Sequence, residues 1–465
     1  MKGSAALATS VPTWRSPRLS STGYLLLITC VAALGGLLFG YDTAVISGAI
    51  GLLQDHFSLS AAATGWAASS ALAGCVLGSI VAGLGCDRFG RRRALVFAGA
   101  CFLISALGTA LAGSFTAFIV YRIVGGLGIG AASVASPLYI SESAPARWRG
   151  ALVAVNQLAI VLGMLLIYIV NYRIHLSGTP SWNEAVGWRW MFASGMLPSA
   201  LLLGMLFLVP ETARFLMMRG RYAEAEAVAA RTGASTLGEI TEAEEQVGTS
   251  NTHHRRALVV GLTLAILQQV TGINVFLYYA PSIFKRASHS ANASLWETVI
   301  VGAVNVLFTA VAMIFVDRAG RKPLLLVGCA GMMACLLAMG WALMHGSTSG
   351  WLLAYVIGYI ACFAFSVGPV TWIVLAEIFP SHFRATAMAI CTAALWVANF
   401  VVSQTFPMID ENPTLIAHFG HGFPFFLYAG FCLVEILFVW QCLPETKNRT
   451  LEQLAAAWAR SDDSI

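Results

Sequence analysis

Apolar runs of about 20 residues, parted by short polar stretches, recur along the whole chain. Six lie near residues 23 to 50, 62 to 86, 94 to 112, 115 to 140, 150 to 172 and 188 to 209. Six more lie near 257 to 284, 296 to 316, 324 to 345, 351 to 379, 386 to 408 and 422 to 443. Each is long enough to cross a hydrocarbon layer as a helix, and helices satisfy their own backbone polar groups there. The pattern predicts an all-α membrane protein with twelve transmembrane helices. Composition agrees, since 58% hydrophobic and 11% charged residues over 465 positions are too apolar for a soluble globule of this length.

The polar punctuation repeats. DRFGRRR (Asp87 to Arg93) follows the second run and DRAGRK (Asp317 to Lys322) the eighth, an offset of 230. Glu142 and Arg149 end the fourth run as Glu377 and Arg384 end the tenth, an offset of 235. PETARFL at Pro210 and PETKNR at Pro444 are 234 apart, and the helix breakers Pro137 and Pro369 are 232 apart. Near-constant spacing predicts two six-helix halves in parallel repeat. The expected division is an amino-terminal segment 1–22, a half 23–210, a helical linker 211–256, a second half 257–443 and a tail 444–465. The linker is too small for an enzyme core of its own.

Charge fixes the expected orientation. The formal net charge is +5, and all but five of the 27 Lys and Arg fall on one side of the layer; the exceptions are Arg122, Arg173, Arg189, Lys285 and Arg286. The positive-inside rule puts that side, with both termini, in the cytoplasm. The first run is too long for a cleaved signal sequence and is expected to stay as an anchor. The ten cysteines form no CxxC pair and read as packing residues. No Walker loop, HExxH or GxSxG motif occurs. Gly125, Gly126, Gly128 and Gly130 lie inside an apolar run and read as helix-packing positions. No enzyme activity, cofactor, metal or nucleic-acid partner is expected; the lipid bilayer is.

Polar residues inside the apolar runs carry the candidate chemistry. In QQVTGINVFLYY (Gln268 to Tyr279), Gln268, Gln269, Asn274 and Tyr278 do not share one face of a straight helix. A break near Gly272 lets them line a common cavity, as discontinuous transporter helices do. Carboxamides supply donors and acceptors without charge, which suits a neutral polyhydroxylated ligand, and they also serve as glue between helices. Both readings stay open at this stage. An aspartate at Asp42 in the first run costs roughly 2.5 to 3.5 kcal/mol at the bilayer centre and needs a partner or a proton. Arg122 in the fourth run is its natural partner. Glu435 in the last run reads first as a carboxylate that pairs locally or snorkels, and secondarily as another titratable site.

At the cytoplasmic helix ends, Asp87, Glu142, Glu211, Asp317, Glu377 and Glu445 stand near Arg88, Arg91, Arg149, Arg214, Arg318, Arg321 and Arg384. Pairs between the halves, made when the inner side closes, would bias an alternating-access equilibrium. The plainer reading is that these charges set topology and solvate helix ends.

These signatures together with FGYDTAVISG (Phe39 to Gly48), YRIVGGLGIG (Tyr121 to Gly130), VNQLAIVLG (Val155 to Gly163) and GPVTWIVLAEIFP (Gly368 to Pro380) cover almost the whole chain. The sequence resembles the sugar porter family of the major facilitator superfamily, its bacterial proton-coupled xylose symporters more than its mammalian facilitative glucose transporters. The resemblance implies a major facilitator fold in a bacterial inner membrane, functional as a monomer, with monosaccharide and protons as partners. It implies a sugar site midway between the halves, built from Gln157, Gln268, Gln269, Asn274, Tyr278 and Asn305, with Gly368 beside it and Phe39, Trp372 and Trp396 as aromatic walls. It implies that Asp42 beside Arg122 accepts the proton, since the facilitators carry asparagine there. Two positions depart from the xylose porters, with Met164 and Leu395 where they have glutamine, so the pocket is expected to be less polar and the sugar to be xylose, glucose or a related monosaccharide. Asn448 also departs, where glycine is usual. The expected activity is proton-coupled monosaccharide import. A proton-independent facilitator is the alternative, and a non-transporting sensor is disfavoured by the 19 residues after the last signature.

Overall fold

A computed structural model describes residues 21–145, 148–232, 254–288, 290–346, 351–379 and 381–447. The side chains of Arg149, Asp317 and Arg384, residues 1–20 and the linker stretch 233–253 lie outside the described set. Among the described residues, twelve helical spans are long and apolar enough to cross a membrane. The first six are Thr22–Phe57, Ala61–Phe89, Arg91–Leu111, Phe115–Ser143, Gly150–Ser177 and Pro180–Leu206. The second six are Arg255–Tyr278, Ala291–Val316, Arg321–Met344, Trp351–Leu375, Thr386–Asp410 and Phe423–Cys442.

Each apolar run corresponds to one span, but the bounds of run and span differ by a few residues at either end. Hydropathy marks the depth of the lipid, whereas a helix ends where its orphan amides find caps. The Ser60 and Ser290 hydroxyls accept from Ala63 and Ala293 (both 3.4 Å) and start the second and eighth spans. Thr179 caps Trp182 (3.3 Å) and starts the sixth span eight residues before its apolar run. Large apolar side chains point outward, Leu197 at 79% and Leu84 at 75% exposure, as lipid-facing residues do.

Among the described residues four spans are interrupted. The first is interrupted at Val45 between helices Ser21–Ala44 and Ile46–Phe57. The sixth is interrupted at Ser194 and Gly195, between helices Trp188–Ala193 and Met196–Leu206. The seventh breaks at Gly272, between His254–Val270 and Ile273–Tyr278. The tenth breaks at Ser366, between Trp351–Phe365 and Val367–Ile378.

Within the first half the second span lies against the fourth, and Gly126 and Gly130 are the points of closest approach. A Cβ on either would strike a backbone carbonyl of the second span, Ala71 or Cys75. Between the halves, the second span packs along the eleventh and the fifth along the eighth. Gln404 ties that seam at the end away from the signature motifs. Its Oε1 accepts from Ser69 Oγ (2.8 Å) and its Nε2 donates to the Ala62 carbonyl (3.0 Å). Trp66 meets Phe400 edge-on nearby, with ring centroids 5.8 Å apart.

At the signature-bearing end each half closes its charges on itself. Arg91 bonds Glu142 (2.9 Å) and Asp87 (3.1 Å), Thr212 donates to Glu142 (2.6 Å), and Glu211 accepts from the amides of Arg91 (3.0 Å) and Arg92 (3.1 Å). The second half repeats the set. Arg321 bonds Glu377 (2.8 Å), Thr446 donates to Glu377 (2.6 Å), and Glu445 accepts from the amides of Arg321 and Lys322 (both 3.0 Å). Gly90 and Gly320 turn these loops at φ 102° and 89°, where a Cβ would meet the Glu211 or Glu445 carboxylate. Among the described residues these ion pairs form within each half. The repeated DRxGR and PET segments meet inside each half, where Glu142, Glu211, Glu377 and Glu445 find their partners. Helices Ala213–Met218 and Tyr222–Thr232 follow the sixth span.

Candidate functional site

The break at Gly272 organises the polar residues of the seventh span. Its φ of 93° is open to glycine at little cost, and a Cβ there would press on the Tyr428 ring at 2.7 Å. Beyond the break the helix restarts with Asn274 folded back, so that Asn274 Nδ2 donates to Gln269 Oε1. Gln269 Nε2 in turn donates to Gln268 Oε1 (3.3 Å). Gln268 Nε2 turns to the tenth span and donates to the carbonyls of Val367 (3.2 Å) and Gly368 (3.1 Å). Those carbonyls belong to the first residues after the Ser366 break. One broken helix thus reads another through a buried amide relay.

Tyr278 lies where the halves meet. Asn399 of the eleventh span donates to its hydroxyl (3.4 Å), and Tyr168 of the fifth span donates to the neighbouring Leu277 carbonyl (2.9 Å). Phe39 of the first span and Trp396 of the eleventh also meet across this seam, with centroids 5.5 Å apart. Trp396 is buried and its Nε1 has no partner among the described residues. Gln157 is half-buried on the fifth span and Asn305 is buried on the eighth; neither makes a hydrogen bond among the described residues, so both keep their amides unspent. Trp372 is half-buried next to the tenth-span break. Met164 and Leu395 are buried within the apolar core.

The second polar centre lies wholly in the first half. Arg122 Nη1 donates to Asp42 Oδ2 (3.2 Å) and to the Asp42 carbonyl (3.3 Å). The Arg122 side chain is 1% exposed and that of Asp42 12%. The guanidinium also sits over Phe192, with Cζ 5.4 Å from the ring centroid. A small cleft between the first, third and sixth spans opens on Asp42, lined by Tyr41, Phe102, Phe192 and Ser199. Three residues after Asp42, at the Val45 interruption, the backbone stays helical and Asn171 Nδ2 donates to the Val45 carbonyl (3.1 Å). Asn171, Asn399 and Phe192 escape a reading of the sequence. Amides and aromatic residues are common in apolar runs, and only the fold shows which ones touch the site.

A family model described as "Sugar (and other) transporter" matches residues 28–458. The chain belongs to this family. It is 43% identical to the D-xylose-proton symporter of Escherichia coli, over 94% of this chain and 96% of that protein. It is 41% identical to the arabinose-proton symporter of Bacillus subtilis, over 98% of both. Its structure is similar to that of the E. coli xylose transporter in an inward-open conformation, with a TM-score of 0.83 at 41% identity, covering 94% of this chain and all of that one. This sugar transporter family member has the twelve spans in two halves that its repeats predict.

The remaining charged positions sort by half. Arg88 and Arg214 are exposed at the signature-bearing end; the Arg88 carbonyl accepts from Arg219, and the Arg318 carbonyl accepts from Lys447 Nζ (2.7 Å). Burial pushes the Glu211 carboxyl above the usual carboxylate range despite its three amide donors. Glu445 is also raised by burial, but the amides of Lys447, Arg321, Lys322 and Thr446 outweigh this and hold it below that range.

Proposed function

We propose that this protein imports a monosaccharide together with a proton by alternating access. Its sugar site is the amide relay of the seventh span, and its proton site is Asp42 beside Arg122. The observation that carries the reading is the buried Asp42–Arg122 pair. A carboxylate at membrane depth with one cationic partner and an open cleft beside it is placed to change charge, which a purely structural pair need not do. Gln157, Gln268, Gln269, Asn274 and Asn305 hold the hydroxyls, Tyr278 and Gly368 shape the site, and Phe39, Trp372 and Trp396 cover the apolar C–H face of the ring. Met164 and Leu395 make the pocket less polar and widen its choice among pentoses and hexoses.

The location that goes with this reading is a bacterial inner membrane, with both termini and the signature-bearing ends in the cytoplasm and the transporter working as a monomer. On that orientation the Gln404 seam closes the outer side, and the structure is inward-facing. The two halves, 23–210 and 257–443, rock about the sugar site and are joined by the linker 211–256. With Asp42 ionised the pair to Arg122 holds the first half shut around the Val45 interruption. Protonation removes the charge, weakens the bond and lets the outward-facing state load sugar. One proton entering down 100 mV supplies about 2.3 kcal/mol, enough for roughly a fifty-fold sugar gradient.

Adding D-xylose or D-glucose to protein in sealed vesicles tests the proposal through the lumenal or external pH. Symport predicts that sugar entry carries protons with it and alkalinises the side the sugar leaves. Sugar movement with no pH change supports a facilitator instead.

A further inference from the structure

The mechanism leaves one ionisable group in the membrane unused. Glu435 of the twelfth span is completely buried, and neither of its carboxylate oxygens has a hydrogen-bond partner among the described residues. The titratable groups that face it are all neutral ones. They are Cys329 from the ninth span, Cys432 one turn back on its own helix, and Tyr359 from the tenth span, with Cys362 beyond Cys329. Tyr359 already spends its hydroxyl on the Thr271 carbonyl (3.0 Å). The seventh and eleventh spans also pack on this helix. Arg255 and Arg256 stand at the signature-bearing end of the seventh, and Asp410 at the far end of the eleventh is paired with His421 (3.1 Å). No Lys, Arg or His forms an ion pair with Glu435 among the described residues.

An ionised carboxylate in that setting has no counter-charge and only the Cys329 thiol as a weak donor, and costs several kcal/mol, whereas the acid form leaves at most an unmade hydrogen bond, about 1 to 3 kcal/mol. The group is also mechanically connected to the sugar site. Cys329 adjoins Gly328, whose Cα face is pressed by Ser366 Oγ at the tenth-span break. The carbonyls just past that break are the ones that Gln268 grips. Movement of the tenth span at Ser366 therefore alters both the amide relay and the packing that shuts Glu435 from water.

We propose that Glu435 is a second proton-binding site of this transporter, filled in the present conformation and emptied when the tenth-span break moves. The coupling to transport rests on the symport reading; the occupancy of the site does not. The step breaks the carboxyl O–H bond and forms one O–H bond on a water molecule, leaving the carboxylate and a hydronium ion.

Infrared difference spectroscopy on the full-length protein in lipid tests this directly. The expected result is a carbonyl stretch of a protonated carboxylic acid at neutral pH that is absent in E435Q, present in D42N, and diminished when D-xylose or D-glucose is added to wild type. Isotopic labelling of glutamate carboxyl carbons moves the band in wild-type protein, which assigns it to glutamate even where E435Q folds poorly. No glutamate band at neutral pH overturns the proposal. A glutamate band lost in E435Q but indifferent to sugar overturns the coupling. Neither outcome depends on whether the vesicles show proton-driven uptake, so the failure of this proposal and that of symport are separable.

Discussion

One guanidinium nitrogen of Arg122 bonds both the carboxylate and the main-chain carbonyl of Asp42, at 3.2 and 3.3 Å. The side-chain bond depends on the charge of Asp42 and the main-chain bond does not. On the proposed proton role of Asp42, Arg122 would keep a hold on the first span through the main-chain bond when Asp42 takes a proton.

Removing Arg122 tests that division. Breaking a buried pair costs about 3 to 5 kcal/mol if the remaining charge stays in place. Asp42 avoids most of this by keeping its proton, so Arg122→Leu is expected to fold with a lowered thermal midpoint and to equilibrate sugar without accumulating it. Thermal unfolding in detergent and gradient-driven uptake read the two effects separately. Full accumulation by the variant would contradict the pairing.

The two glutamines of the seventh span have unequal duties. Gln268 serves the Val367 and Gly368 carbonyls as well as the relay, whereas Gln269 bonds only its amide neighbours. Either change to alanine is expected to weaken sugar binding by about 1 to 3 kcal/mol, roughly 5- to 150-fold in Kd. Gln268→Ala also lowers the thermal midpoint, because it strips a donor from two buried carbonyls. Equilibrium binding paired with thermal unfolding distinguishes the two variants.

Gly272→Ala is expected to be more harmful than either. Its backbone sits at φ 93°, and the new methyl meets the Tyr428 ring at 2.7 Å. Left-handed strain alone costs about 1 to 2 kcal/mol. The variant should lose stability and binding together, and normal binding by Gly272→Ala would show that the break does not position the amides.

Acid should act oppositely on the two PET glutamates. Glu445 is held below the usual range, so the unfolded chain binds its proton first; its contribution is present above that range and is lost as pH falls through the lowered value. Glu211 is raised, so its contribution is complete below the usual range and is lost as pH rises through the raised value. Against wild type, E445Q should be less stable at neutral pH, with the gap closing in acid, and E211Q should be better tolerated at neutral pH than in acid. Thermal midpoints from neutral pH down past the ordinary glutamate range check both slopes.

The parts of this account that the sequence reveals are those that a single stretch or a repeat determines. Apolar length predicts the twelve spans, the constant offset predicts the halves, and Gly272 between amides predicts the seventh-span break. Arg122 is legible as the partner of Asp42 because both stand deep in apolar runs. The bond that the Val45 carbonyl accepts is not legible, since its donor is the amide of Asn171, 126 positions away. The grip of Gln268 on the tenth span is hidden for the same reason, because the carbonyls it holds are exposed by a break that tertiary packing creates. The charge clusters are legible only in part. Their residues are identifiable from the motifs, but only the fold shows that each set closes inside its own half.

The most direct test of proton coupling compares wild type with Asp42→Asn in sealed vesicles, measuring labelled xylose and glucose uptake with and without an inward proton gradient. The account predicts accumulation above equilibrium in wild type only when the gradient is imposed, and an Asp42→Asn variant that exchanges sugar but never concentrates it. Accumulation by Asp42→Asn equal to wild type, or a wild type that merely equilibrates sugar under every gradient, would contradict it.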